Sequence, residues 1–263
     1  MLCIKFCNKL QMLRSNWMGL MIALAIAITW LISLIVLLPQ HSTNYSPILL
    51  VFWILSRTFL HTGLFVIAHD AIHGNVFPGD PSRNRWVGRL ALGLYGFLPY
   101  QTCRKLHWQH HAYPAQTRDP DFYSKPDGHL IRYFIRWYGS FMRNYLTPRN
   151  LAVVVTGIVL TTVSLVFLAK INSQNLILFW LVPWILSSLQ LFTFGIFLPH
   201  HHDDDQSNNN VHQTRSYYYP VLFSLLTCYH FSYHREHHAY PEVPWYQLPD
   251  VAMADGYPEP FLP

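Results

Sequence analysis

The sequence predicts an all-α integral membrane protein: four transmembrane helices as two antiparallel hairpins, with short interfacial helices and a histidine-rich site at their cytoplasmic ends. Three observations predict it. Apolar residues make up 51% of the 263 residues, whereas Asp, Glu, Lys and Arg together make up 12%, too apolar a balance for an ordinary soluble domain. The apolar excess falls in four runs at about 19–38, 48–68, 151–169 and 176–198, each able to cross a hydrocarbon core of roughly 30 Å as a helix of about 20 residues. The 16 histidines cluster at the ends of these runs and in the segments between them.

The first run is too long for a secretory signal, lacks a small-residue cleavage site and is followed by further runs of the same kind. Short polar connections, 39–47 and 170–175, join the first two runs and the last two, which suits antiparallel pairs. Trp86 to Tyr100 and Tyr217 to Tyr229 are apolar but too short to span, and read as interfacial or re-entrant helices. From Pro241 onward repeated prolines predict a helix-free tail. The chain reads as a single membrane-embedded domain over 1–263, with flexible ends at about 1–14 and 250–263.

Charge orients this frame. Lys5, Lys9 and Arg14 precede the first run, eleven basic residues from Arg83 to Arg149 lie between the second and third, and Arg215 and Arg235 follow the fourth. The 41–47 connection has no Lys or Arg and the 170–175 connection has only Lys170. The positive-inside rule therefore puts both termini and the central segment in the cytoplasm. The net charge of +5 comes with no basic stripe carrying interleaved aromatics, which argues against nucleic acid as a partner. Cys3, Cys7, Cys103 and Cys228 form no extracellular framework in this topology and read as reduced thiols. Arg57, inside the second run, is costly there and should face the bundle interior or snorkel along the span.

The chemistry lies in the histidines. His69 and His73 are four apart, on one face of the second helix at its cytoplasmic end. His107-Trp108-Gln109-His110-His111-Ala112-Tyr113-Pro114 is echoed by His234-Arg235-Glu236-His237-His238-Ala239-Tyr240-Pro241, so the pattern H-x-x-H-H-A-Y-P occurs twice and each copy can supply half of a roughly two-fold site. His200 stands on the last turn of the fourth run. His201, His202 and Asp203 to Asp205 form a low-complexity tract of the kind that binds metal adventitiously. His41, His129 and His212 read as solvated, and His61 as core or pocket lining. Eight or nine imidazoles with no thiolate beside them exceed the needs of one tetrahedral zinc and imply two ions. Imidazole suits zinc, copper, iron and nickel alike, and a dinuclear iron centre uses such a set well because it can reduce O2 and keep positions open for substrate.

The three boxes on four spans resemble the membrane di-iron desaturase/hydroxylase superfamily. Longer strings narrow the resemblance: Ala68 to Gly74, Leu94-Tyr95-Gly96 through Leu98-Pro99-Tyr100, Asp119-Pro120-Asp121, Phe194 to His200, Cys228-Tyr229-His230-Phe231, and Tyr240-Pro241 with Pro244-Trp245. These closely resemble bacterial β-carotene ketolases of the 4-oxygenase type, from about the first span to Pro249. The resemblance implies a non-haem di-iron oxygenase that turns C4 of a β-ionone ring into a ketone, giving echinenone and canthaxanthin from β-carotene with O2 as co-substrate. It implies His69, His73, His107, His110, His111, His200, His234, His237 and His238 as ligands, with His230 as a ligand or a neighbour of one. His201, His202 and the acidic tract depart from the family pattern. Asp70, Asp119, Asp121 and Glu236 are candidates for carboxylates that accept a ligand N–H and fix its tautomer.

A ring 3-hydroxylase and a fatty-acyl desaturase use the same ligand chemistry, although the Tyr240-Pro241 and Pro244-Trp245 context speaks against the desaturase. A metal transporter or store would place ionisable ligands within several spans, whereas only Arg57 and His61 lie inside one. The sequence has no G-x-G-x-x-G and no haem-attachment cysteine pair, so electrons must come from outside. Reduced ferredoxin, small and acidic, suits the positive face of Arg83, Arg85, Arg89, Arg104 and Lys105. Contact with anionic membrane lipids is the other use of those charges.

Overall fold

A computed structural model describes residues 17–41, 44–124, 128–201 and 214–256. Cys3, Lys5, Cys7, Lys9, Arg14, His202, Asp203, Asp204, Asp205 and His212 lie outside the described residues. The described residues form helices, turns and loops with no strand.

Helix α1 (Met18–Leu37) is apolar on all sides. Helix α2 (Pro47–His73) starts at Ser46, whose side chain accepts from the Leu49 N–H, with Pro47 in the first turn, and stops at Gly74. Gly74 has φ +84°, a left-handed conformation that suits glycine as a helix stop. Helix α3 (Pro81–Gly96) is capped by Asp80 and leads through a turn into α4 (Tyr100–Ala112). Helix α5 (Leu130–Tyr145) precedes α6 (Pro148–Leu168) and α7 (Ser173–His200). The chain closes with α8 (Val221–Cys228), α9 (His234–Ala239) and α10 (Leu248–Ala254). Of these, α1, α2, α6 and α7 are long and apolar enough to cross a membrane.

Side-chain contacts give the helices their directions. Gly19 of α1 lies against Asn75 just past α2, Ile26 against Gly63, and Ser33 against Arg57, so numbers fall on one helix as they rise on the other. Between α2 and α7 both numbers rise: Arg57 meets Phe179, and Thr62 meets Ser187 and Gln190. The C-terminal ends of α2 and α7, which carry His69, His73 and His200, therefore lie at one end of the bundle. At the other end the Asn175 side chain donates to the carbonyls of Leu38 and Gln40.

Arg57 faces the interior and is fully buried, for a reason written in α7. Pro183 has no N–H to give the carbonyl four residues back, and α7 widens over Ile177–Leu181. That carbonyl belongs to Phe179, and Arg57 Nε donates to it at 3.0 Å, while Nη1 donates to the Trp30 carbonyl and Ser33 hydroxyl at 2.7 Å. One buried guanidinium thus ties α1, α2 and α7 together and satisfies a carbonyl that a proline had freed. His61 is core, as expected: Nε2 donates to the Tyr95 carbonyl at 2.6 Å and Nδ1 accepts from Trp30 Nε1 at 3.1 Å.

Helix α2 runs past the apolar run at 48–68 to His73 and α7 past 176–198 to His200, so His69, His73 and His200 stand on the helix ends where the sequence put them, because histidines that turn into a protein interior need not end a helix. Several expectations need correction. The apolar stretch 86–100 breaks at Phe97, which has φ +59°. In the stretch 217–229 helix begins only after Pro220. The tail is not helix-free: Leu248, Val251 and Ala252 of α10 are buried with Tyr233 and Val243, an apolar spacing that favours a helix, and Pro249 sits in its first turn, where proline is tolerated. Helix α5 falls in the segment read as a cytoplasmic connection. Its buried Trp137 and Tyr145 and part-buried Phe134 and Phe141 lie at helical spacing opposite Arg132, Arg136 and Arg143, and that amphipathic period was the missed signal.

Candidate metal centre

The ends of α2, α4, α7 and α9 converge. His69, His73, His107 and His237 bring one ring nitrogen each to within 4.8 Å of one another, and so do His110, His200, His234 and His238. His111 completes the first group, with Nε2 3.0 Å from His237 Nε2 and its ring stacked on His238 at 4.2 Å between centroids. The sequence repeat has a spatial meaning: each H-x-x-H-H box gives its first and third histidines to one group and its middle one to the other. His107 and His111 join His237, whereas His234 and His238 join His110. The two boxes are related as a crossed pair, and α2 and α7 supply the remaining rings.

Neutral rings cannot satisfy all the close contacts among these nitrogens at once, because each Nε2 either donates one proton or offers one lone pair, while His234 and His238 each meet two neighbours. Nε2–Nε2 separations are 2.6 Å for His73–His107 and 3.0 Å for His200–His234, His234–His238 and His238–His110. His110 donates through Nδ1 to Asp119, so in its neutral form Nε2 holds only a lone pair. Burial, with neighbouring histidines adding to it, holds the pKa of His107, His234, His237 and His238 well below the usual histidine value, so protons do not relieve the crowding. A cation between the lone pairs does, and an all-imidazole donor set without thiolate fits iron among the metals that imidazole suits.

The carboxylates divide. Asp119 accepts from His110 Nδ1 with both oxygens at 3.0 Å, and from the N–H groups of Ala115 and Asp121 at 2.9 and 2.8 Å. Burial works against a charged His110, but this bond and the charges of Asp119 and Asp121 raise its pKa. Asp121 Oδ2 is 3.9 Å from His110 Nδ1; burial raises its pKa above the usual carboxylate value against the pull of His110. Asp70 Oδ1 is 3.7 Å from His69 Nδ1. Glu236 faces away from the rings: it accepts from the Ser216 and Tyr218 hydroxyls at 2.5 and 2.9 Å and fastens α9 to the segment before α8.

His230 stands outside both groups. Its Nδ1 is 3.1 Å from Ser224 Oγ, its ring neighbours are Tyr233 and Trp245, and burial lowers its pKa to about 4. Tyr229 and His230 both have positive φ, 47° and 62°, a tight turn that brings Phe231 against His69 with centroids 4.9 Å apart. His201 packs on Tyr133 and Phe197. His41 and His129 are exposed.

A narrow, mostly apolar cavity of about 50 Å³ opens onto both groups: His69, His107, His110, His234 and His237 lie on its wall with Phe65, Phe141, Leu191 and Phe231. A second, also of about 50 Å³, shares Phe65, Phe141, Tyr145 and Leu191 with it and reaches Tyr95, Leu98 and Trp184. Two residues on these walls, Tyr145 and Phe141, come from α5, a helix the sequence reading did not expect.

Apolar helices whose ends gather nine imidazoles around a shared cavity define a helical membrane protein with a paired, all-histidine candidate metal site. The chain belongs to the fatty acid desaturase family, whose model matches residues 45–263, and within it to the β-carotene ketolases. It is 37% identical over 234 residues to a β-carotene ketolase of Paracoccus sp. (strain PC1), covering 88% of this chain and 91% of that one. A β-carotene ketolase of Paracoccus sp. (strain N81106 / MBIC 01143) is 38% identical over 78% of this chain and 80% of its own. A zeaxanthin 4-ketolase of Chlamydomonas reinhardtii is 34% identical over 80% of this chain and 45% of its own.

Proposed function

We propose that the protein is a non-haem di-iron oxygenase that converts the C4 methylene of β-ionone rings to a ketone, taking β-carotene through echinenone to canthaxanthin. The observation that carries this reading is the apolar cavity with five histidines on its wall, continued by a second apolar cavity. The pair is suited to a long hydrocarbon that presents one ring to the site and leaves its chain among aromatic and aliphatic side chains. Ketolase names among relatives that match most of the chain support the substrate class.

His69, His73, His107, His111 and His237 would hold one iron, and His110, His200, His234 and His238 the other. Bound there, the irons would supply the O2 chemistry that oxidation of the allylic C4–H bonds requires. The protein's part is orientation: Asp119 fixes the His110 tautomer, Phe231 sets the His69 ring, and Phe65, Phe141 and Leu191 exclude water from the ring. Each of two oxygenations at C4 consumes one O2, two electrons and two protons and releases one water. The first gives the alcohol, and the second a gem-diol that loses water to the ketone.

In the membrane, α1 with α2 and α6 with α7 form two hairpins, with the histidines and both termini on the cytoplasmic side, where the charge asymmetry puts them. α3 and α4 enter as a re-entrant pair, since Tyr95 and Phe97 reach His61 and Gly157 within the spans. His230 supports the turn before Phe231 and is not a ligand. Reduced ferredoxin delivers electrons to the basic face. Expression in a bacterial host that accumulates β-carotene, followed by pigment chromatography, tests the reading. Echinenone appearing before canthaxanthin is expected; a 3-hydroxylated pigment or unchanged β-carotene overturns it.

A further inference from the structure

Among the described residues, Asp121 is the one carboxylate on the wall of the cavity that faces the histidines. It is 3% exposed, and its Oδ1 is buried without a hydrogen-bond partner, although Oδ2 accepts from the Tyr145 hydroxyl at 3.3 Å. Its backbone is pinned: the N–H donates to Asp119 at 2.8 Å, Trp137 Nε1 donates to its carbonyl at 2.6 Å, and the Asn144 side chain donates to the Pro120 carbonyl beside it. Buried polar atoms in native structures are nearly always paired, and one that is not calls for an explanation. Here a rigidly held acceptor lines a chamber whose other walls are histidines and apolar side chains, beside the group that contains His110.

We propose that Asp121 Oδ1, oriented by Tyr145, receives the hydroxyl of a partly oxidised ring. This rests on the ketolase reading. The product of the first oxygenation differs from the substrate by one hydroxyl, and apolar walls by themselves discriminate weakly between the two. A hydrogen bond from that hydroxyl to Asp121 pairs the buried oxygen and holds the same carbon in place for the second oxygenation. A carboxyl oxygen accepts it whether or not the group carries a proton. The methylene of an unoxidised ring offers no such donor, so Asp121 separates the two steps.

The test uses purified iron-loaded enzyme with O2 and a reduced carrier, and either β-carotene or 4-hydroxy-β-carotene as substrate. Asp121→Ala is expected to raise KM for the alcohol about tenfold or more relative to KM for the hydrocarbon, with free alcohol accumulating from β-carotene. Asp121→Asn, which keeps an acceptor oxygen, restores most of the difference, and Tyr145→Phe moves the ratio a few-fold in the same direction. Equal changes in both KM values, or an effect that follows only iron content, overturn the proposal. If Asp121→Ala does not fold, an unmoved ratio in Tyr145→Phe overturns it. Wild-type enzyme that makes no ketone overturns the ketolase reading and this proposal with it, whereas ketone formation with unmoved ratios overturns the proposal alone.

Discussion

The Nδ1 of His110 lies 3.0 Å from both oxygens of Asp119, with each side chain about 1% exposed. A buried carboxylate that takes one imidazole N–H fixes which nitrogen remains for a metal and raises its basicity. Asp119→Asn keeps the shape but replaces one acceptor with a donor. The expected outcome is a loss of roughly 10–100-fold in iron affinity at the group containing His110, measured as iron retained during dialysis against a graded chelator. Retention equal to wild type would remove Asp119 from the account.

Substitutions among the histidines should divide by position. His107→Ala, His111→Ala, His234→Ala and His238→Ala are expected to abolish turnover and lower iron content, whereas His41→Ala and His129→Ala, at exposed positions, leave both unchanged. His230→Gln should keep its iron. Burial holds the His230 pKa at about 4 against 6.5 for an ordinary histidine, so its contribution to stability is present above about pH 6.5 and is lost as pH falls toward about 4. The glutamine variant should therefore lose less of its thermal stability than wild type between about pH 7.5 and pH 5. Iron loss in His230→Gln would return His230 to the ligand set.

The charge asymmetry predicts a topology that can be measured. Reporter fusions are expected to place 41–47 and 170–175 outside and 101–149 and 203–216 in the cytoplasm. A cytoplasmic 41–47 connection would reverse the first span and contradict the orientation.

Arg85 and Arg104 line a cleft that reaches His73, and the proposed acidic carrier would dock there, close to the first histidine group. Activity should fall with rising salt. Charge reversal at Arg85 and Arg104 in correctly inserted protein should raise the carrier KM and flatten the salt dependence. No change in either would leave these residues with a purely topological role.

Much of the site was legible because its signal is local. The i, i+3 and i+4 spacing of each box places its rings on one helix face, and four hydropathic runs bring those helices together. The crossing of the boxes was not legible, since it depends on how α4 and α9 meet in space. Glu236 and Asp119 look alike as acids beside a box, yet Asp119 reaches His110 through the turn at 113–118, while Glu236 is drawn off by Ser216 and Tyr218. The role of Arg57 needed the partner helix: only with α7 in place does Pro183 expose the Phe179 carbonyl that the guanidinium meets. Helix α10 was hidden because proline density reads as a breaker even where Pro249 sits in a first turn.

Iron content measured on active protein tests the central claim most directly. Two facing groups of imidazoles predict close to two irons per chain in preparations that make ketone, with activity rising as the second site fills. Stoichiometric zinc without iron in protein that still makes ketone, or full activity at one iron per chain, would contradict a paired iron centre.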